Sequence, residues 1–438
     1  MYPNPQDALP LPARPSLEQY KKLAKDLVRA CNSTDPHALR QWIEQWIEGL
    51  SRLAHLRSRL RFIRNHCLAT QLEQFIRSQA ADSKLSLARA QFILARAHGF
   101  ESWQKLTKHI AAMARKDSET SAFELAADAI VAGDLPALKK LLREQPDLVH
   151  QRSSREHQAT LLIYTAANGV ENYRQRTPKN IVAITELLLD AGADVNTAAN
   201  VYGGHSTTLA LAATSVHPER AGVQEALLDV LFRHGATLDQ AVAPNYTQGL
   251  LVNACLANGR GRAAAYLAAR GAQLDLEGAA GVGRLDIVCA LLDPASQQKP
   301  STAQIERALA WASEFGRNDV VEFLLERGAS LISKDATGLT ALHWAIIGGK
   351  LDTIKLLLAR GASLDTRNIY DGDALGQGLW AAINDGSATD HIATVALLLD
   401  AGARIEEGTL NWIRRQKSAP AETKARLTEL LKRHGAKS

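Results

Sequence analysis

The sequence predicts an all-α chain, a solenoid of short helix pairs preceded by a small N-terminal helical domain. Three observations lead there. The dipeptide Gly-Ala recurs directly after leucine-rich runs. Its spacing keeps returning to 33 residues, an interval typical of stacked repeats. Apolar residues fall at helical spacing, and leucine and alanine are abundant while aromatics are only 5%, which favours close helix packing.

Residues 1–15 carry five prolines and are expected to be extended and loosely held. A helical domain is expected over 16–116. Ser16 is suited to a helix N-cap, and Leu17, Tyr20, Leu23, Leu27 and Val28 follow at helix spacing. A second pattern starts after Asp35, with Pro36 in the first turn, and runs through Trp42, Trp46 and Leu50 towards Leu60. LSLARAQFILARAHG and ESWQKLTKHIAAMAR supply two more helices. The three tryptophans here, Trp42, Trp46 and Trp103, read as core anchors. The polar stretch KDSETS, 116–121, marks the boundary with the repeats.

At 438 residues the chain exceeds the size at which one core stops growing, so several domains or an elongated array are expected. With 46% hydrophobic and 22% charged residues it is a folding sequence, not a disordered one. The net charge of +5 is slight and uneven, because 52–64 holds five arginines and no acid. A solvated helix face explains that run as well as a nucleic-acid contact does, so nucleic acid is not expected as a partner. Cys31, Cys67, Cys255 and Cys289 are far apart and form no CxxC pair, so free thiols are expected. No apolar run is long enough for a bilayer, and the N-terminus lacks the pattern of a secretory signal. A cytoplasmic protein without membrane contact is the expectation.

The Gly-Ala pairs begin at Gly192, Gly235, Gly271, Gly328, Gly361, Gly402 and Gly435, with gaps of 43, 36, 57, 33, 41 and 33. The most regular unit is 335–367, DATGLTALHWAIIGGKLDTIKLLLARGASLDTR. Asp335 and Gly338 occupy a turn, Thr340, Ala341, Leu342 and His343 open a first helix, and Leu356, Leu357 and Leu358 fill a second. Gly361 suits a left-handed helix end. This unit closely resembles the ankyrin consensus. The resemblance implies an array of eight to nine units over 121–438 with polar caps at both ends, and a structural role for Thr340 and His343. It further implies that fingers and first helices line a concave face where partners bind. LPARPSLEQYKKLAKDL and ARAHGFESWQKLTKHI resemble the leader of a bacterial group of such proteins.

The departures from the consensus carry the functional expectation. Three additions, VENYRQRTPKNI, TSVHPERAG and NDGSATDH, fall at the turn between the two helices of a repeat. Equivalent insertions in a solenoid project from one edge. The first two lie in consecutive repeats and are expected to form one wall. NVYGGHSTT and NIYDGDALGQGLW place an aromatic before glycine at the fingers. The candidate partner-binding residues are therefore Tyr173, Arg174, Arg176, Tyr202, His205, His217, Tyr370 and Asp371. The expected function is a non-enzymatic scaffold holding an unidentified protein or peptide on the concave face, with a small-molecule guest as a narrower version. The alternative is an enzyme whose pocket the second and third repeats' inserted loops enclose, using Tyr202, His205 and His217. No HxH, HxxxH, GxSxG or Walker A pattern is present, so no catalytic residue, metal or cofactor is expected.

Overall fold

The structure, a computed structural model, describes residues 4–12, 14–51, 66–80, 84–115, 117–238, 250–295, 299–335, 337–384, 389–416 and 419–436. The basic run 52–64 and half of the third addition, 385–388, lie outside the described residues. Two compact units divide the chain, Met1–Ala263 and Ala264–Ser438. Helices dominate, and the described strands are a two-residue pair, Ala198–Ala199 with Ser206–Thr207.

The first unit opens with α1 (Leu17–Cys31), α2 (Ala38–Ser51), α3 (His66–Gln79), α4 (Leu87–Ala97) and α5 (Trp103–Met113). Ser16, Ser86 and Ser102 accept backbone N–H bonds at the N-termini of α1, α4 and α5. Each satisfies a donor that the helix cannot pair internally. Leu27, Ile43, Leu72 and Ile93 meet in the core of this bundle. The N-terminal stretch is tied down more firmly than its prolines suggest. Ala8 and Leu9 are buried, Leu9 N–H donates to Ala97 O at 2.7 Å, and Leu9 O accepts from His98 Nδ1 at 2.9 Å.

The same unit continues into α6 (Glu119–Ala132), α7 (Leu135–Glu144), α8 (Leu161–Tyr164), α9 (Ile181–Asp190), α10 (Thr208–Thr214), α11 (Val216–Arg220), α12 (Gln224–Arg233) and α13 (Leu251–Ala257). The division between units therefore falls well after the polar stretch at 116–121, inside α14 (Gly261–Ala269). The N-terminal helices α1–α5 share packing with the segments after α7: Glu156 N–H donates to Gly99 O at 2.8 Å, Arg96 pairs with Glu156 at 2.5 Å, and Tyr173 sits in the core of α1–α4.

The second unit is more regular. It stacks α15 (Leu276–Val282) with α16 (Leu285–Leu291), α17 (Thr302–Glu314) with α18 (Asn318–Glu326), α19 (Ala341–Ile347) with α20 (Leu351–Ala359), α21 (Ala374–Asn384) with α22 (His391–Asp400), and α23 (Thr409–Arg415) with α24 (Ala421–Arg433). First helices pack on first helices from α15 to α21 and second on second from α16 to α24, the geometry of a repeat stack. Small residues allow the close approach. A Cβ added to Gly348 would lie 1.9 Å from the Glu314 carbonyl oxygen. Thr340 Oγ1 donates to His343 Nδ1 at 2.8 Å, the structural role the consensus implies.

Candidate functional site

The first addition does not form an exposed wall. Glu171, Tyr173 and Arg174 are buried, and this corrects the expectation that Tyr173 and Arg174 present themselves to a partner. The segment Asn172–Arg174 makes one 3-10 turn that drives these side chains inward. There they meet Glu124 of α6 and Arg155 and His157 of the finger before α8. Arg155 pairs with Glu124, and its Nε lies 2.9 Å from Glu171 Oε1. Arg174 reaches Glu124 Oε2 at 2.8 Å and Asp128 Oδ1 at 3.0 Å. Its guanidinium also lies over the rings of Tyr164 and Tyr173.

Two buried guanidiniums thus face two buried carboxylates, which is the arrangement a low-dielectric interior requires. Burial alone would raise the Glu124 carboxyl, but Arg155 and Arg174 outweigh it and hold it down to about 2. The same opposition holds Glu171 well below the usual carboxylate range. His157 Nδ1 accepts from Ala159 N–H at 3.0 Å, so its Nε2 carries the proton and faces Glu171 Oε1 at 3.7 Å. The cluster is a structural lock rather than an accessible site.

A second arrangement in the same unit is accessible. A cavity of about 210 Å³ lies between the two consecutive additions. Gln175 of the first addition and His217 of the second both line it, so the two segments flank one space. Tyr202, Asn168, Asn258 and Arg260 add to the polar lining, as do Ser206, Thr214 and Ser215. Its backbone is unusual. α8 stops at Tyr164, and Ala167 adopts φ +50°, a left-handed conformation that an alanine side chain disfavours. The shortened helix frees the Ala167 carbonyl, which accepts Ser215 Oγ at 3.2 Å. Asn168 turns across to donate to Leu211 O and Thr214 Oγ1. Tyr202 itself sits at φ +54° and donates its hydroxyl to Asn168 Oδ1 at 2.6 Å.

The remaining first-unit candidates divide. His217 is half-buried on the cavity. His205, at φ +60°, is exposed on the finger and is not among the lining residues. Arg176 is exposed and also stands outside the lining. The serines on the cavity are already engaged, with Ser206 Oγ donating to Val201 O at 3.1 Å and Ser215 to Ala167 O. Ser215 Oγ accepts from the His217 backbone N–H at 3.3 Å, and neither hydroxyl bonds the His217 imidazole as an activated nucleophile requires.

The second unit holds a larger and more apolar groove, about 850 Å³, on its C-terminal repeats. Tyr370, Trp380 of α21 and Trp412 of α23 line it together with Ile347 and Leu379. These aromatics are 80%, 52% and 39% exposed, in a chain that buries most of its large apolar side chains. The finger geometry explains why Tyr370 points outward. Asn368 Oδ1 accepts from Tyr370 N–H at 2.9 Å and Gly372 N–H at 3.0 Å, as Asp335 Oδ1 accepts from Thr337 and Leu339 one repeat earlier. Asp371, at φ +62°, takes the left-handed position that Gly338 holds in that earlier turn. Asp371 is exposed and pairs with Arg367 at 3.1 Å, so it serves the turn and stands at the groove's edge.

Sequence reasoning passed over Trp380, Trp412, Gln175 and Asn168. A tryptophan in a first helix, where the repeat asks for small residues, was the available signal for the first two. For Gln175 and Asn168 no local signal exists, since their role depends on where α8 stops. Among the described residues no group of three His, Cys, Asp or Glu side chains converges as a metal site would, and no helix is long and apolar enough to cross a membrane.

Residues 276–368 match the family described as ankyrin repeats, three copies. The match ends just before Tyr370, so the aromatic groove is built largely from less regular repeats. No curated protein matches the chain. Among solved structures, the human ASB11 ankyrin repeat domain is similar at 21% identity, with 64% of this chain and 99% of that chain covered and a TM-score of 0.31. The fold is an all-α array carrying ankyrin repeats, a class that generally serves as a protein-interaction scaffold.

Proposed function

We propose that this chain is a binding scaffold whose partner, an apolar peptide segment of another protein, lies in the groove of Tyr370, Trp380 and Trp412. The observation that carries the reading is the exposure of three large aromatics around one space. Clustered apolar surface of this kind is rare on a monomer and marks interaction sites. Aromatic anchors in a groove also supply most of the energy in protein interfaces. Ile347 and Leu379 extend the apolar floor, and Asn368, Gln377 and Glu407 give a polar rim.

The location and origin of the protein belong to the same proposal. Cys31, Cys255 and Cys289 are free thiols, which suits a reducing cytoplasm, and the leader's likeness to a bacterial group supports a bacterial source.

The test is selection of peptides from a displayed random library on the immobilised full chain. Selected peptides should be rich in apolar and aromatic residues and should lose binding to the variant Y370A/W380A/W412A. Peptides that bind this variant as well as the parent would remove the groove from the account.

A further inference from the structure

The cavity between the two additions is separate from the aromatic groove, and nothing in the scaffold reading uses it. We infer that it is a binding site for a neutral polyhydroxylated small molecule of about one monosaccharide ring.

Size sets the first bound. The space, about 210 Å³ and open to solvent on one side, has room for one sugar ring.

Charge sets the second. Among the described lining residues Arg260 is the cationic side chain, and it is paired with Glu219. Burial, followed by the neighbouring Arg220, pushes the His217 imidazole below its ordinary value, so it is neutral at pH 7. A phosphate or carboxylate ligand would have to compete with Glu219 for Arg260, and an ammonium ligand would have to compete with Arg260 for Glu219. An unpaired charge entering such a space is disfavoured.

The unspent hydrogen-bonding groups set the third. Gln175 commits its Nε2 to Val170 O at 2.7 Å and keeps Oε1 as an acceptor. Asn258 commits its Nδ2 to Ala254 O at 2.8 Å and keeps Oδ1 as an acceptor. A neutral imidazole at His217 offers one donor and one acceptor. Each amide nitrogen also keeps one hydrogen, so the site suits a ligand that brings both donors and acceptors without charge, and hydroxyl groups do that. Tyr202, fixed through its hydroxyl to Asn168, lines the space with an aromatic ring, a group suited to the C–H face of a sugar.

The site is also built rather than incidental. Left-handed backbone at Ala167 and Tyr202, both lining residues, is held in place by the bonds from Ser215 and to Asn168. Such conformations persist where surrounding structure over-determines them, and they concentrate at ligand sites.

The experiment follows the His217 ring signals by NMR in the full chain while D-glucose, D-galactose, N-acetyl-D-glucosamine and myo-inositol are each titrated. Glucose 6-phosphate and methylammonium serve as charged comparators. The expected result is a saturable shift with a Kd of about 1 mM or tighter for at least one neutral compound. Q175A/N258A should weaken that binding at least tenfold with helicity retained, and the charged comparators should bind more weakly than the neutral compound. Two results overturn the inference. One is no saturable shift with any neutral compound. The other is tighter binding of glucose 6-phosphate than of glucose, which would mean that the Arg260–Glu219 pair opens to an anion. Should the double variant unfold, H217A supplies the same comparison on a half-buried side chain, read by calorimetry.

Discussion

The Tyr202 hydroxyl donates to Asn168 Oδ1 at 2.6 Å, while the amide nitrogen of Asn168 caps the neighbouring helix α10 through Leu211 O and Thr214 Oγ1. One finger is thereby fastened to the end of one shortened helix across a cavity. Tyr202→Phe keeps the ring and removes the bond. It should cost about 1 kcal/mol in chemical denaturation. An unchanged midpoint would mean that the bond does not hold the finger.

The burial of Arg174 and the exposure of Arg176 separate two neighbours that look alike in sequence. Arg174→Ala leaves Glu124 and Glu171 with one guanidinium between them and should destabilise by about 3–5 kcal/mol. Arg176→Ala should fall within about 0.5 kcal/mol of the parent. Equal effects of the two in urea unfolding would contradict the inward fold of this segment.

Two buried imidazoles make stability depend on pH. His98 donates Nδ1–H to Leu9 O and accepts from the Tyr20 hydroxyl at 3.0 Å, so its neutral form is fully used. Burial lowers both His98 and His109 to about 4. The unfolded chain takes up these protons near pH 6.5, while the folded chain resists them until about 4. Stability from the pair is therefore complete above 6.5 and declines as pH falls towards 4, by on the order of 3 kcal/mol for each. Glu124, held near 2, adds its own loss only below 4.5. Denaturation midpoints at pH 7 and pH 5 should differ clearly, and H109Q should reduce the difference. A flat profile across that interval would show that these rings are not buried neutral.

Two glycines in the regular repeats do different work. Gly348 has ordinary backbone but no room, since a methyl group would enter the Glu314 carbonyl. Gly361 has open space but φ +92°. Gly348→Ala should therefore cost well over 2 kcal/mol through displaced packing, and Gly361→Ala about 1–2 kcal/mol through backbone strain. Thermal unfolding of the two variants gives the order directly, and the reverse order would place the close helix contact elsewhere.

Much of the fold was legible because repeat physics is local. Leucine runs, terminal glycines and the Thr340–His343 pairing each report a contact within one unit or with its neighbour, so a sequence pattern carries them. The two-unit division was not legible. Tyr173 packing into the leader joins helices more than a hundred positions apart, and no local signal encodes that. The direction of the first addition was misread for a related reason. Glu171, Tyr173 and Arg174 have the polarity of an exposed loop, and partners outside the segment, Glu124, Asp128, Arg155 and His157, make burial favourable for them. Tyr370 kept its expected exposure, while Asp371 proved to hold a turn position that glycine fills one repeat earlier. Neither tryptophan of the groove was among the candidates, which came from fingers and insertions rather than first helices.

The central claim is that the Tyr370, Trp380 and Trp412 groove holds the partner. Isothermal titration of a display-selected peptide into the full chain and into W380A, W412A and Q175A tests it most directly. Each tryptophan variant should weaken binding by about 2 kcal/mol or more, roughly thirtyfold in Kd, with Tm unchanged, while Q175A binds as the parent does. Full affinity in both tryptophan variants would contradict it.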